Sequence, residues 1–145
     1  MYNWFECKIK YDKMQENGIV KSVTEPYLVD ALSFTEAEAR IIEEIKPFIS
    51  GEFTVSDIRR RRFAETFFNS TGDSYYKARL FFLSLDEVSG SEKKQNVNML
   101  VQASSVKEAL EIVEAEMKKT MADYVFHTVS ETPIMDVFPY SEKEV

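Results

Sequence analysis

Basic and aromatic side chains alternate along two stretches of this chain, a pattern that could bind an anionic ligand. The set consists of Trp4, Lys8 and Lys10 in the first stretch and of Tyr75, Lys77, Arg79 and Phe81 in the second. Side chains two residues apart lie on one face of a β-strand, so each stretch would place its set on a single sheet face. Such faces bind single-stranded nucleic acid by stacking bases on rings and pairing phosphates with cations. The same pattern is ordinary for a protein contact, and we favour that interpretation.

Four consecutive arginines form the strongest run of one charge in the sequence: Arg59, Arg60, Arg61 and Arg62. Their guanidinium groups could hold a phosphate or an acidic partner through forked hydrogen bonds. Alternatively, the run is an exposed bulge or loop whose arginines pair with glutamates of the protein's own helices. Because the chain has 25 acidic residues, we favour the second interpretation. The formal net charge of −7 also disfavours generic binding to duplex nucleic acid.

Residues with catalytic or metal-binding chemistry are sparse. Cys7 is the only cysteine and His127 the only histidine, which excludes an internal disulfide and a multi-cysteine or multi-histidine metal site. Cys7 has the phase of a buried strand residue, and His127 also falls on a predicted strand. The paired acids Glu43 and Glu44 are typical of a solvated helix face. The sequence therefore predicts no catalytic, metal or cofactor site, and a protein that is not an enzyme.

One segment of the chain occurs twice. Residues 28–37, LVDALSFTEA, align without a gap with residues 100–109, LVQASSVKEA, which lie 72 positions later. Both copies contain a Ser-x-x-Glu capping box, Ser33 with Glu36 and Ser105 with Glu108, which predicts the start of a helix. Helical periodicity then predicts one buried stripe on each helix, formed by Ala37, Ile41 and Ile45 in the first and by Ala109, Val113 and Met117 in the second.

Alternating apolar residues upstream of each helix predict strands, and turn residues at 16–18, 69–73 and 89–91 predict three hairpins. The inferred order is strand, strand, helix, strand, used twice. This order predicts an α+β fold with one mixed or mostly antiparallel sheet of about six strands and two helices on one face.

The repeat also predicts the domain organisation. We expect a single domain over residues 1–145, made of two repeats at about 1–72 and 73–140, with a short frayed C-terminal tail. Two further matches, 54–57 with 128–131 and 65–67 with 136–138, have different offsets. They predict three extra residues in the first copy, within or beside the arginine run.

The first residues of the sequence lack the basic and apolar regions of a signal peptide. The chain also has no apolar run near the length of a membrane span. We therefore expect a cytoplasmic protein with no membrane partner.

Several long segments of the chain resemble a known family, namely residues 25–38, 51–56, 98–103 and 135–140. The family is an uncharacterised group of bacterial and phage proteins, catalogued as the domain of unknown function numbered 4494. The resemblance covers nearly the whole chain and implies a cytoplasmic bacterial or bacteriophage protein. It brings no established activity, so it implies no functional residues.

The sequence does not determine the function, and it leaves two classes of hypothesis. The first is a small non-enzymatic binding or assembly module that contacts a protein partner, or a second copy of itself, through an open sheet face or edge. The alternative is single-stranded nucleic-acid binding through the aromatic and basic face.

Overall fold

The computed structural model describes residues 2–140, so the predicted C-terminal tail lies outside the described residues. The elements are β1 (Trp4–Met14), β2 (Val20–Asp30), α1 (Phe34–Ile45), β3 (Phe53–Arg61), β4 (Glu65–Phe67), β5 (Ser74–Leu85), β6 (Glu92–Ala103), α2 (Val106–Met117), β7 (Asp123–Glu131) and β8 (Val137–Phe138). The α+β class and the two helices are as the sequence predicted.

The strands form two separate four-stranded sheets, so the predicted single sheet of about six strands is wrong. Their orders are β3-β1-β2-β8 and β4-β6-β5-β7. The error lies in the hairpin predicted at residues 69–73: β3 pairs with β1, and β5 pairs with β6 and β7. A turn signal shows where the chain reverses, but it does not determine which strand lies beside the next one. The predicted hairpins β1–β2 and β5–β6 do form.

Within the described residues, the first compact unit contains residues 2–62 together with residues 133–140. In this unit α1 packs on one sheet face, where Ala37, Ile41 and Ile45 are fully buried against strand residues such as Phe5 and Ile9. Burial of the predicted stripe is therefore confirmed for this helix. The apolar spacing of α1 explains the packing, since only one face of the helix can leave water.

The second compact unit contains residues 63–132. Its helix α2 buries Ala109, Val113 and Met117 in a core that includes Ala78 and Leu80 of β5. The predicted stripe is confirmed here too.

Both helices begin at the predicted capping serines. The hydroxyls of Ser33 and Ser105 accept hydrogen bonds of 3.1 Å from the backbone amides of Glu36 and Glu108. Each glutamate carboxylate, however, accepts from the amide of the residue before the serine, not from the serine's own amide as a standard capping box would.

The two sheets have a β-bulge at corresponding places. In the first, Lys8 lies opposite Asp57 and Ile9 opposite Val55, which leaves Ser56 as the extra residue. In the second, the extra residue is His127, because Arg79 lies opposite Thr128 and Leu80 opposite Phe126.

Each of these residues of the second sheet lies 71 positions after its counterpart in the first, as Arg79 does after Lys8 and His127 after Ser56. The expected three-residue insertion near the arginine run is therefore wrong. The match of 54–57 with 128–131 joins residues that the pairing does not place at equivalent positions.

The short strands β4 and β8 cross between the halves of the sequence. β4 follows β3 along the chain but pairs parallel with β6, placing Thr66 opposite Leu100. β8 follows β7 but pairs parallel with β2, placing Val137 opposite Leu28. Each compact unit is therefore completed by a strand from the other half of the sequence, and the unit boundaries differ from the predicted repeat boundaries.

Each crossing segment ends with a hydrogen bond to the glutamate of a capping box. Asn69 donates from its amide nitrogen to Glu108 Oε1 over 3.2 Å, and Tyr140 donates from its hydroxyl to Glu36 Oε1 over 2.8 Å. Arg40 also lies over the Tyr140 ring, 4.5 Å from its centroid. Different side-chain types thus make the same connection in the two units.

Candidate interaction surface

Two of the predicted surface aromatics are not accessible. Trp4 is 1 % exposed and Tyr75 is 6 % exposed, so their prediction as open-face residues is wrong. As the alternation predicts, each lies on the sheet face away from the helix. The buried Leu28 lies on the same face as Trp4, and the buried Leu100 lies on the same face as Tyr75. Alternation assigns a side chain to a face, but it does not determine whether water reaches that face. Aromatic binding at this end of either sheet is therefore excluded without rearrangement.

The arginine run continues an edge strand and is largely paired within the sheet. Arg61 Nε donates to Glu6 Oε1 over 3.0 Å, and Arg59 Nε donates to Asp57 Oδ2 over 2.9 Å. Arg60 donates to Asn3 Oδ1 over 3.1 Å, and the exposed Arg62 follows the end of β3.

The prediction that glutamates of the helices pair with the arginine run is therefore wrong for Arg59 and Arg61. The partner carboxylates of Arg59 and Arg61 come from strands β1 and β3, whereas α1 covers the opposite sheet face. The Asp57 partner had a sequence signal, because it lies two residues before Arg59 and therefore on the same face of a strand. Glu6 had none, because it is 55 residues from Arg61 in the sequence.

On the first sheet, the face away from α1 carries charges of both signs. Lys8 is half-buried and Lys10 is exposed, and the acids Glu6 and Asp57 lie on the same face. Partial neutralisation by these carboxylates makes this face a weaker anion-binding candidate than its counterpart on the second sheet.

The second sheet brings the other predicted residues together. On its face away from α2, β5 contributes Lys77, Arg79 and Phe81, none of them fully buried. Neighbouring strands add Lys94 and Asn96 of β6 and Val125 and His127 of β7, all of them exposed. We call these seven residues the cationic–apolar face.

The cations of this face have no acidic partner within the sheet. Among the described residues, no carboxylate lies within ion-pair distance of Lys77, Arg79 or Lys94. Arg79 Nε donates to the neutral Asn96 Oδ1 over 2.8 Å. The face is therefore positively charged in a chain whose formal net charge is −7. It also holds the exposed acid Asp123, which lies opposite Leu83 on β7 and is not paired with any of the three cations.

Apolar groups lie among these cations. The Phe81 ring has its centroid 5.0 Å from that of His127, with 32° between the ring planes, and Lys94 Nζ lies 6.0 Å from the Phe81 centroid. Val125, directly opposite Phe81 on β7, is 45 % exposed. Contacts of the ring with His127 and Lys94 reduce the area on which a flat base could stack, while Val125 stays available to an apolar side chain.

Sequence reasoning missed Lys94, Asn96, Val125 and His127. For the first two a signal was present, because the hairpin at 89–91 fixes which β6 residues lie beside the alternating positions of β5. His127 could not be placed, since the bulge that includes it is a feature of pairing and has no clear sequence signal.

A polar cluster on the helix-covered side of the first sheet surrounds Glu25. Tyr11 and Tyr27 donate their hydroxyls to Glu25 Oε1 over 2.8 and 3.4 Å, and Lys13 Nζ lies 3.6 Å from Oε2. Burial, followed by the hydrogen bond and charge of Glu25, raises the pKa of Tyr11 to about 12. Burial, followed by the charge of Glu25, also raises the pKa of Tyr27. These phenols therefore stay protonated at neutral pH, where they are hydrogen-bond donors and not bases.

The cysteine is placed as the sequence predicts. Cys7 is fully buried, and burial together with the charges of Glu6 and Glu38 raises the pKa of its thiol to about 12. A thiol in this state is a small apolar side chain and a poor nucleophile.

Within residues 2–140, no group of three or more histidine, cysteine or acidic side chains is arranged to hold a metal ion. Over the same residues, neither helix has the length and apolarity needed to cross a membrane.

The fold and surface together define a class of protein: an α+β chain of two helix-covered four-stranded sheets, one of which has an open cationic and apolar face. The family model described as "Domain of unknown function (DUF4494)" matches residues 3–140, and the chain belongs to this family. No curated protein and no solved structure matches the chain.

Proposed function

We propose that this protein is a small non-enzymatic binding or assembly module whose cationic–apolar face takes up a polypeptide partner. The observation that supports the proposal is the grouping of three cations without ion-pair partners around Phe81 and the exposed Val125. Exposed apolar groups interspersed with charge are typical of protein contacts, which combine a contact core with a polar rim.

Single-stranded nucleic acid is the second candidate, because the same face combines an aromatic ring with cations. Two observations favour the polypeptide. The Phe81 ring is already in contact with His127 and Lys94, and the accessible apolar group beside it, Val125, has no aromatic surface for a base.

The corresponding strand order, bulges and crossing strands of the two units support an origin by duplication, with both units acting as one domain. A cytoplasmic location fits the single buried free thiol, because a reducing compartment does not require disulfides.

A peptide-display selection on the immobilised full chain tests the binding function. We expect selected peptides that bind wild type and fail to bind the double variant Phe81→Ser, Val125→Asp. A control variant, Val88→Asp, changes a residue that is 97 % exposed in the β5–β6 turn and should keep binding. Selected peptides that bind the double variant as tightly as wild type would contradict the proposal.

A further inference from the structure

The spacing of charges on the cationic–apolar face identifies the chemistry of its partner. Lys77, Arg79 and Phe81 occupy alternate positions along β5, and Lys94 lies opposite Leu83, the next residue of that series. Since alternate residues of a strand are about 6.6 Å apart, β5 presents cation, cation and aromatic at equal steps. The ammonium of Lys94 lies on the β6 side of the aromatic ring, 6.0 Å from its centroid.

We propose that this face binds an extended acidic segment with an apolar residue, in the pattern acid-x-acid-x-apolar-x-acid. The proposal rests on the binding function proposed above and adds its ligand class. An extended polypeptide has the same repeat of about 6.6 Å for alternate side chains, so its first two acidic groups coincide with Lys77 and Arg79. Lys94, whose backbone lies opposite Leu83, is the cation beside the third.

The apolar position of the ligand meets the apolar part of the face. When acidic groups lie at the three cations, the remaining side chain falls beside Phe81, where Val125 is opposite on β7. The 45 % exposure of Val125 leaves area for a leucine-sized group to cover. Apolar contact therefore supplies the register that charge alone would leave free to slide.

The charges select an acidic partner over a neutral one. Arg79 is held toward the face by its hydrogen bond to Asn96, whose amide is neutral, so the guanidinium keeps its full charge and further donors for a carboxylate. Comparable arginines on β3 already donate to Asp57 and Glu6. The unneutralised cations of the second sheet are thus the better site for an added carboxylate.

The test is a fluorescence-anisotropy titration of the full chain with four labelled probes at low salt. The first probe is a heptapeptide with Glu at its first, third and seventh positions, Leu at its fifth and Ser elsewhere. The second replaces each Glu with Gln, the third has the residues of the first in scrambled order, and the fourth is a single-stranded oligothymidylate.

We expect the patterned acidic peptide to bind at least about tenfold more tightly than the Gln or scrambled peptide, and to weaken as salt rises. Arg79→Glu with Lys94→Glu should weaken binding by about tenfold or more, and the milder Arg79→Gln with Lys94→Gln should weaken it in the same direction. The control Lys107→Glu with Lys118→Glu makes the same change of net charge at exposed residues of α2 and its C-terminal end, and should leave binding unchanged.

Equal binding of the patterned and Gln peptides would overturn the acidic ligand class, as would oligothymidylate binding more tightly than the patterned peptide. Failure of this inference is distinguishable from failure of the binding function. Display-selected peptides that need Phe81 and Val125 but are not acidic would keep the module and reject its proposed ligand.

Discussion

Cys7 illustrates how burial determines the chemistry of a single residue. Its side chain is fully buried beneath α1, and its pKa is raised to about 12, so almost no thiolate forms at neutral pH. We expect Ellman's reagent to modify the native protein far more slowly than the protein in denaturant. Native labelling at the rate of the unfolded chain would show that the strand β1 is not packed as described.

The pKa of Tyr11 makes a pH prediction at the same scale. In the unfolded chain this phenol loses its proton near its ordinary value of 10.0, whereas the folded protein holds it until about 12. The stability contribution of the protonated phenol is complete below pH 10 and is lost as pH rises toward 12. Between these values the unfolded chain releases the proton and the folded protein does not, so rising pH stabilises the unfolded state.

Removing the charge of Glu25 should make this loss smaller. We expect Glu25→Gln to reduce the difference between the free energies of unfolding measured in urea at pH 9 and pH 11.5. Glu16→Gln, at an exposed residue of the β1–β2 turn, is the control and should keep the wild-type difference. An unchanged pH dependence in Glu25→Gln would contradict the assigned role of the carboxylate.

At the scale of elements, the segment between β4 and β5 depends on a close backbone approach at Gly72. A Cβ placed there would lie 2.5 Å from the Cα of Ala103, the last residue of β6. Gln102 also donates its side-chain amide to the Gly72 carbonyl over 3.1 Å. Any larger residue must move one of these backbones.

Gly72→Ala should therefore lower the free energy of unfolding by about 1–3 kcal/mol, as expected for overpacking at a rigid site. Ser70→Ala, at an exposed position of the same loop, should change it by less than about 0.5 kcal/mol. Chemical denaturation monitored by circular dichroism measures both. Equal stability of the two variants would show that the loop does not lie against β6.

The helices could be predicted from the sequence, whereas the shortest strands could not. Both helices, their capping serines and their buried stripes follow from spacing of four or fewer residues, and so they were predictable. The two-residue strand β8 and the three-residue strand β4 were not, because such short strands have no periodicity to detect. Their parallel pairing with β2 and β6 depends on contacts far apart in sequence.

The candidate surface was predictable to a similar extent. The alternation that indicated Lys77, Arg79 and Phe81 gave the correct face, and it gave the face of Trp4 and Tyr75 as well. It did not give their burial, because periodicity within one strand has no information about what lies above the sheet. Charge composition likewise could not show which arginines already have carboxylate partners.

At the scale of the whole molecule, the crossing strands couple the stability of the two units. The first unit needs residues 133–140, which follow the last strand of the second, and the second needs residues 63–67, which follow the last strand of the first. If the second core unfolds, residues 133–140 stay joined to the first unit only across a long unfolded segment, so keeping β8 paired with β2 then costs additional loop-closure entropy. We expect a single cooperative unfolding transition.

Truncation of either core should shift that one transition. Ile41→Ala in the first unit and Val113→Ala in the second each remove a fully buried group, and we expect a cost of about 2–5 kcal/mol for the isoleucine and less for the smaller valine. Leu32→Ala, at a residue that is 77 % exposed, is the control. Two separate transitions, only one of them moved by each variant, would contradict the coupling.

The central claim is that one particular face binds a polypeptide, and an NMR titration tests it most directly. The full chain, labelled with ¹⁵N, is titrated with the patterned acidic peptide, and the shift of each backbone amide is followed. We predict that the largest shifts fall on β5, β6 and β7 around Arg79, Phe81, Lys94 and Val125. Largest shifts around Arg59 to Arg62 on the first sheet, or none at a saturating peptide concentration, would contradict the account.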